Sequence, residues 1–255
     1  MDSLFRNFIE KHTPTNPQMP FTHNTSGANF QSILFNGKIS KIMCPVFHQE
    51  YVYFFYGRPA YKVSSKEESC TIEELLPVCM LFKPDSLDNV ARIYPFDSGA
   101  FDQGCYQNVI SNKYNIDEFN MGKSLENIQK LISAFYDDNR KYYYGIPKHI
   151  KNASCLQIKS YLRLIETLIP LPTDDRKYTV EIILNDEIEL KNKILAVILP
   201  RLLLEFNFVK DKIKEYDIEY YTYNTVNGFH PDYYNYELFK IVEYILENNK
   251  FFEVY

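Results

Sequence analysis

Apolar positions along this chain switch between a helical period and a strand period, and the switches predict most of its elements. Leu4–Lys11 reads as a short helix, and the prolines between Thr13 and Pro20 hold the chain extended after it. Pro20–His23 follows as a compact strand. Asn24-Thr25-Ser26 are good N-cap residues, and Phe30, Ile33 and Leu34 then share one helical face until Gly37 ends the turn. Tyr51–Tyr56 is dense in β-favouring side chains and predicts a strand buried on both faces. Pro77–Phe82 and Ala91–Phe96 predict two more strands, joined by a loop rich in Asp and Ser. Between Ser124 and Tyr136 the helical period returns through Leu125, Ile128, Leu131, Ile132 and Phe135.

A further helix, Leu156–Ile169, stops before Pro170 and Pro172. Tyr178–Leu184 alternates strictly, with Val180, Ile182 and Leu184 on one face and Thr179, Glu181 and Ile183 on the other. Ile194–Leu199 is an apolar strand capped by Pro200, and two helices close the chain around the polar, aromatic loop Tyr220–Tyr234. Strands and helices cluster without strict alternation, which predicts an α+β class and not a doubly wound sheet. No internal repeat or low-complexity tract interrupts the pattern.

Composition narrows the function. A chain of 255 residues with 45% hydrophobic and 24% charged positions can bury a core without disulfides or metals. Its 22 Tyr and 19 Phe, with no Trp, suit clefts and surfaces that use a flat ring with a polar tip, although AT-rich coding explains them equally well. A net charge of -5 argues against a general nucleic-acid coat and leaves room for one local basic groove. The five cysteines are irregularly spaced, with no CxxC and no paired histidines at zinc spacing, so reduced thiols and no metal are expected. MDSLFRNFIEKH is too polar for a signal peptide, and no run of about 18 apolar residues occurs. A cytoplasmic protein without a membrane partner is therefore the expectation.

Glycine-rich nucleotide motifs are missing, since neither GxGxxG nor GxxxxGK occurs among eight glycines, and there is no GxSxG elbow. A Cys/His nucleophile pair is left open by sequence alone.

Three segments carry candidate chemistry. The first is Phe21-Thr22-His23-Asn24-Thr25-Ser26, followed by Asn29-Phe30-Gln31-Ser32-Ile33-Leu34 and Gly37. The second is Tyr51-Val-Tyr-Phe-Phe-Tyr-Gly-Arg-Pro-Ala-Tyr61, in which Arg58 breaks a run of apolar and aromatic residues. The third is Tyr178-Thr-Val-Glu181-Ile-Ile-Leu with the strand ending at Pro200. Each has a plain structural alternative. His23 can satisfy a turn, Tyr53 and its neighbours can be core, and Glu181 can face solvent. Glu187 and Glu189 are rival carboxylates, although they follow the turn-like Asn185-Asp186 and read as a solvated loop.

Together these segments resemble ADP-ribosyltransferases of the diphtheria-toxin and poly(ADP-ribose)-polymerase type, and the second is similar to the strand of DarT-type DNA ADP-ribosyltransferases. Asn24 departs from the polymerases, which have Gly after the His. The resemblance covers about Phe21–Tyr61 and Tyr178–Pro200. It implies an α+β fold of two small packed sheets around an NAD cleft. It also implies that NAD is consumed without a metal and that Glu181 and Arg58 are the catalytic residues. By the same resemblance His23 bonds a ribose hydroxyl, the Asn24 backbone and Thr25 help hold the nicotinamide end, and Tyr56 and Tyr61 flank the ring. Asp97 and Ser98, in a polar turn after a strand, are candidates for contacting the acceptor, with a simple Asx turn as the alternative.

The expected division is an N-terminal helix and linker (1–20), a catalytic domain (21–200) and a C-terminal helical extension (201–255). The resemblance implies transfer of ADP-ribose to a macromolecule. The DarT-like strand points to a DNA or RNA base, and the acidic balance points back to protein. A bacterial toxin or phage-defence effector with an antitoxin or inhibitor protein would suit such an enzyme. The alternatives are an RNA 2′-phosphotransferase and an inactive binding module of the same fold.

Overall fold

The computed structural model describes residues 3–60, 72–150, 153–167 and 175–253. In chain order its strands are β1 (Phe21–Ser26), β2 (Lys38–Ile39), β3 (Ile42–Met43), β4 (Glu50–Tyr56), β5 (Pro77–Phe82), β6 (Val90–Tyr94), β7 (Glu181–Leu184), β8 (Ile188–Glu189), β9 (Ile194–Pro200) and β10 (Tyr220–Tyr223). Its helices are α1 (Leu4–Ile9), α2 (Gly27–Asn36), α3 (Ser98–Asp102), α4 (Glu126–Phe135), α5 (Asn139–Tyr144), α6 (Leu156–Glu166), α7 (Asn207–Glu215) and α8 (Asn235–Asn248).

The main sheet is mixed and runs β10-β9-β5-β1-β4-β7-β6. β1 pairs with β5 along its whole length, from Phe21↔Phe82 to Ser26↔Pro77. On its other side it meets β4 only at Phe21↔Tyr56 and Thr22↔Phe55. Beyond Thr22 the two strands part, while along its opposite edge β4 stays paired with β7 from Phe55↔Glu181 to Val52↔Leu184. The main path of strands is thus split along most of β1, and β2 and β8 form a separate two-stranded sheet.

Local chemistry explains the elements beside the split. The Ser26 side chain accepts from the Asn29 N–H at 3.3 Å and starts α2, and Gly37 ends it at φ 69°, a left-handed conformation that glycine adopts without a Cβ clash. All six residues of β5 are buried, as expected of a central strand covered on both faces. Helix α4 buries Ile128, Leu131, Ile132 and Phe135 at helical spacing, and Phe5 of α1 packs its ring against Phe119, Phe135 and Tyr161.

Several boundaries differ from the sequence expectations. β1 continues through Ser26, so Asn24 and Thr25 belong to the strand and only Ser26 is the cap. β7 begins at Glu181, because Asp175–Tyr178 forms a 3-10 turn. The loop Tyr220–Tyr234 contains β10, which pairs in parallel with β9, so the stretch after residue 200 adds a strand to the sheet itself. Helix α6 is described to Glu166, and its expected end at Ile169 lies outside the described residues. No helix among the described residues is long and apolar enough to cross a membrane.

Candidate active site

A cavity of about 670 Å³ lies where β1 and β4 part, lined by His23–Ser26 from one strand and by Tyr53 and Phe55 from the other. That volume falls within the range of small-molecule sites, about 300–1,000 Å³. His23 is the first residue of β1 past the last β1–β4 pair. Its Nδ1 lies 2.9 Å from the Tyr53 carbonyl oxygen across the split. A carbonyl only accepts, so Nδ1 carries the proton and Nε2 of the neutral ring is left as an acceptor. Burial lowers the imidazole pKa, against a smaller upward pull from that hydrogen bond, which keeps the ring neutral. Asn24 and Thr25 continue the same wall.

Glu181 opens β7 between Phe55 of β4 and Tyr94 of β6 and is only 3% exposed. Its Oε2 accepts from the Ser98 N–H at 3.2 Å. Desolvation pushes the carboxyl pKa up to about 8, with the charge of Asp97 adding to it, while the Ser98 hydrogen bonds and Arg176 pull the other way. Asp97 caps α3 by accepting from the Ala100 N–H at 2.6 Å, and its other oxygen faces Arg176 Nη1 at 3.1 Å. The expected turn is therefore real, and Asp97, Ser98 and Arg176 all line the cavity as well. Ser98 orients Glu181. The rivals Glu187 and Glu189 are exposed and lie outside the cavity lining, with Glu187 paired to Lys38.

His23, Asn24, Thr25, Asp97, Ser98 and Glu181 are thus brought together, but Tyr56 and Arg58 are not. Tyr56 is fully buried in the core, where its hydroxyl accepts from the Met19 N–H at 2.8 Å. After it, Gly57 adopts φ 65° and turns the chain away. Arg58 consequently points into the interior, donating from Nη1 to the Tyr142 carbonyl at 3.0 Å, with its guanidinium 5.4 Å from the Tyr178 ring centroid and 5.7 Å from that of Phe239. These positions correct the expected roles of Tyr56 as a ring flanking the ligand and of Arg58 as a catalytic cation. Tyr61 lies outside the described residues.

Two lining residues escaped sequence reasoning. Tyr53 shares a face of β4 with Phe55, and strand alternation sets both against Val52, Phe54 and Tyr56. That parity was legible, and it argues for Tyr53 over Tyr56 as the cavity aromatic. Arg176 sits in a polar stretch with no periodicity, so nothing in the sequence marks it. Its side chain is 20% exposed and supplies a positive charge to the cavity wall. No protein-family model, curated protein or solved structure matches this chain.

The wall therefore combines an acceptor imidazole, a proton-holding carboxyl and an arginine–aspartate pair. Such a set can bind a polyhydroxylated, anionic ligand and, once the carboxyl ionises, oppose positive charge forming beside it.

Proposed function

We propose that this cavity binds NAD and that the protein is an ADP-ribosyltransferase acting on a macromolecule. The observation that carries this reading is that His23 and Glu181, from distant segments, line one cavity as a neutral hydrogen-bond acceptor and a buried carboxyl. His23 Nε2 accepts from a ribose hydroxyl. The ionised Glu181 accepts from the ribose 2′-hydroxyl and opposes the positive charge that grows on the anomeric carbon. The nicotinamide–ribose C–N bond breaks there, and its electron pair leaves with nicotinamide. Arg176, steadied by Asp97, holds the pyrophosphate by charge and by the fork of its guanidinium. The acceptor's nucleophile then bonds the anomeric carbon and gives its proton to the Glu181 carboxylate.

The resemblance of the β4 segment to DarT-type enzymes favours a DNA or RNA base as acceptor over protein. A cytoplasmic toxin or phage-defence effector, held in check by an inhibitor protein, fits that chemistry. A second reading, an inactive binding module, draws on the raised pKa of Glu181, because a protonated carboxyl cannot oppose a cation.

One assay separates them. NAD labelled in its adenylate is incubated with separate pools of DNA, RNA and lysate protein, and nicotinamide release and label transfer are followed. Release and transfer that vanish in Glu181→Gln support the transferase. NAD binding without release supports the module, and release unchanged by the substitution removes Glu181 from the mechanism.

A further inference from the structure

We propose that Asp97 is the positioning residue of this cavity, a single carboxylate that sets both Glu181 and Arg176. Its two oxygens serve different neighbours. One accepts from the Ala100 N–H at 2.6 Å, which closes the turn into α3 and leaves the Ser98 N–H donating to Glu181 Oε2 at 3.2 Å. The other accepts from Arg176 Nη1 at 3.1 Å. Asp97 is only 5% exposed, so both bonds are made away from water, where they are strengthened. The fit is also tight, since a Cβ at Gly99 would stand 3.3 Å from the capping oxygen. All four residues, Asp97, Ser98, Arg176 and Glu181, line the same cavity.

A cap needs a polar oxygen but no charge, since asparagine and serine cap helices as well as aspartate does. Here the charge acts on two neighbours. Desolvation is the chief cause of the raised Glu181 pKa, the Asp97 charge adds to it, and Arg176 opposes it. The other titratable groups around Glu181 are settled near neutral pH. Tyr94, opposite it on β6, and Tyr53 of β4 are phenols whose pKa values burial pushes up, and His23 of β1 is held neutral. Lys38, which also lines the cavity, is paired with Glu187. Among the described residues, the proton on Glu181 is therefore governed by the Asp97–Arg176 pair. Pairing tempers the repulsion between the two carboxylates and fixes the guanidinium in the wall, where an anionic ligand can meet it. The inference rests on the reading of this cavity as the reactive site, and its electrostatic part needs no NAD.

Two substitutions pull the pair apart. Asp97→Asn keeps a capping oxygen, removes the charge and sets its Nδ2, a donor, against Arg176. Arg176→Gln removes the opposing cation and leaves the Asp97 charge. Carbon-13 titration of the glutamate carboxyls in the full chain reads both, with the Glu181 signal identified by its loss in Glu181→Gln. Asp97→Asn is expected to move the Glu181 midpoint about one pH unit towards acid, and Arg176→Gln to move it towards alkali. With NAD, Asp97→Asn should raise KM roughly fivefold. At saturating NAD and about pH 6, the same variant should release nicotinamide up to about tenfold faster, because more Glu181 is ionised. A residue that only shaped the turn would neither move the two midpoints in opposite directions nor increase a rate. A Glu181 midpoint unmoved in Asp97→Asn, shifts in one direction in both variants, or a melting transition lost in Asp97→Asn overturns the inference. Opposed shifts without any nicotinamide release would sink the transferase reading alone. Nicotinamide release with an unmoved midpoint in Asp97→Asn would sink the positioning role alone.

Discussion

The two faces of β4 solve opposite problems. On the cavity side, Tyr53 and Phe55 stand on the wall that also holds the unpartnered Asn24 amide and Glu181, which keeps a proton it would lose in water. On the interior side, Val52, Phe54 and Tyr56 are buried, and the Tyr56 hydroxyl and carbonyl both have hydrogen-bond partners. The Met19 N–H donates to the Tyr56 hydroxyl, the Tyr142 hydroxyl donates to the Tyr56 carbonyl at 3.0 Å, and the Val180 N–H donates to the Tyr142 hydroxyl at 3.0 Å. What separates the two faces is the cavity beside one and the packed core behind the other, and not residue type, because tyrosines occupy both.

The sharpest way to break this contrast is Glu181→Gln. Loss of the carboxylate is expected to cut nicotinamide release by roughly 100- to 1,000-fold. The same change should stabilise the fold at alkaline pH. The folded pKa of Glu181, about 8, exceeds the ordinary value of 4.5, so the folded state binds more protons than the unfolded state between those values. Stability is then fully present below pH 4.5 and is lost as pH rises through about 8. Turnover moves the other way, rising with pH as Glu181 ionises. Chemical denaturation from pH 5 to 9 should show the wild-type decline flattened in Glu181→Gln. A variant that loses activity and stability together at pH 8.5 would place Glu181 in the scaffold.

On the interior face the expected losses are of stability. Tyr56→Ala removes a fully buried ring and leaves the Met19 N–H unmet, at a cost of about 3–5 kcal/mol, with turnover per folded molecule kept. Arg58→Met retains much of the volume but abandons the Tyr142 carbonyl, at a cost of about 1–3 kcal/mol. Denaturation midpoints measured beside active-site titration decide both cases. If Arg58→Met lost turnover at unchanged stability, Arg58 would return to the reactive set.

Sequence periodicity located β1, α2, β4, β5 and β9 because each is long or strongly apolar, so local preference and burial agree. The family resemblance of their segments, and not periodicity, picked out His23 and Glu181. Periodicity missed β10, whose residues Tyr220–Tyr223 read as a polar aromatic loop and become a strand only by pairing with β9. Register was equally out of reach. That Phe55 stands opposite Glu181, and that β4 leaves β1 after Thr22, depend on contacts distant in sequence. Gly57 with positive φ decides where Arg58 points, and a glycine after a strand does not by itself announce that turn.

The smallest expected effect is the most informative control. Glu187 is the acidic residue nearest to Glu181 in sequence after Asp186, and it bonds Lys38, a residue that itself lines the cavity. Charge alone would thus make Glu187 a fair rival. Its environment argues otherwise: it is exposed, its partner holds its pKa below the usual carboxylate value, and its ionised form is already stable in water. Such an exposed pair contributes little, so Glu187→Gln should leave nicotinamide release within about twofold of wild type and the melting transition in place. Burial, and not the presence of a carboxylate, is what the proposed chemistry requires. A Glu187→Gln variant as impaired as Glu181→Gln would show that the field of the cavity rim, and not the proton-holding carboxyl at its wall, controls the reaction.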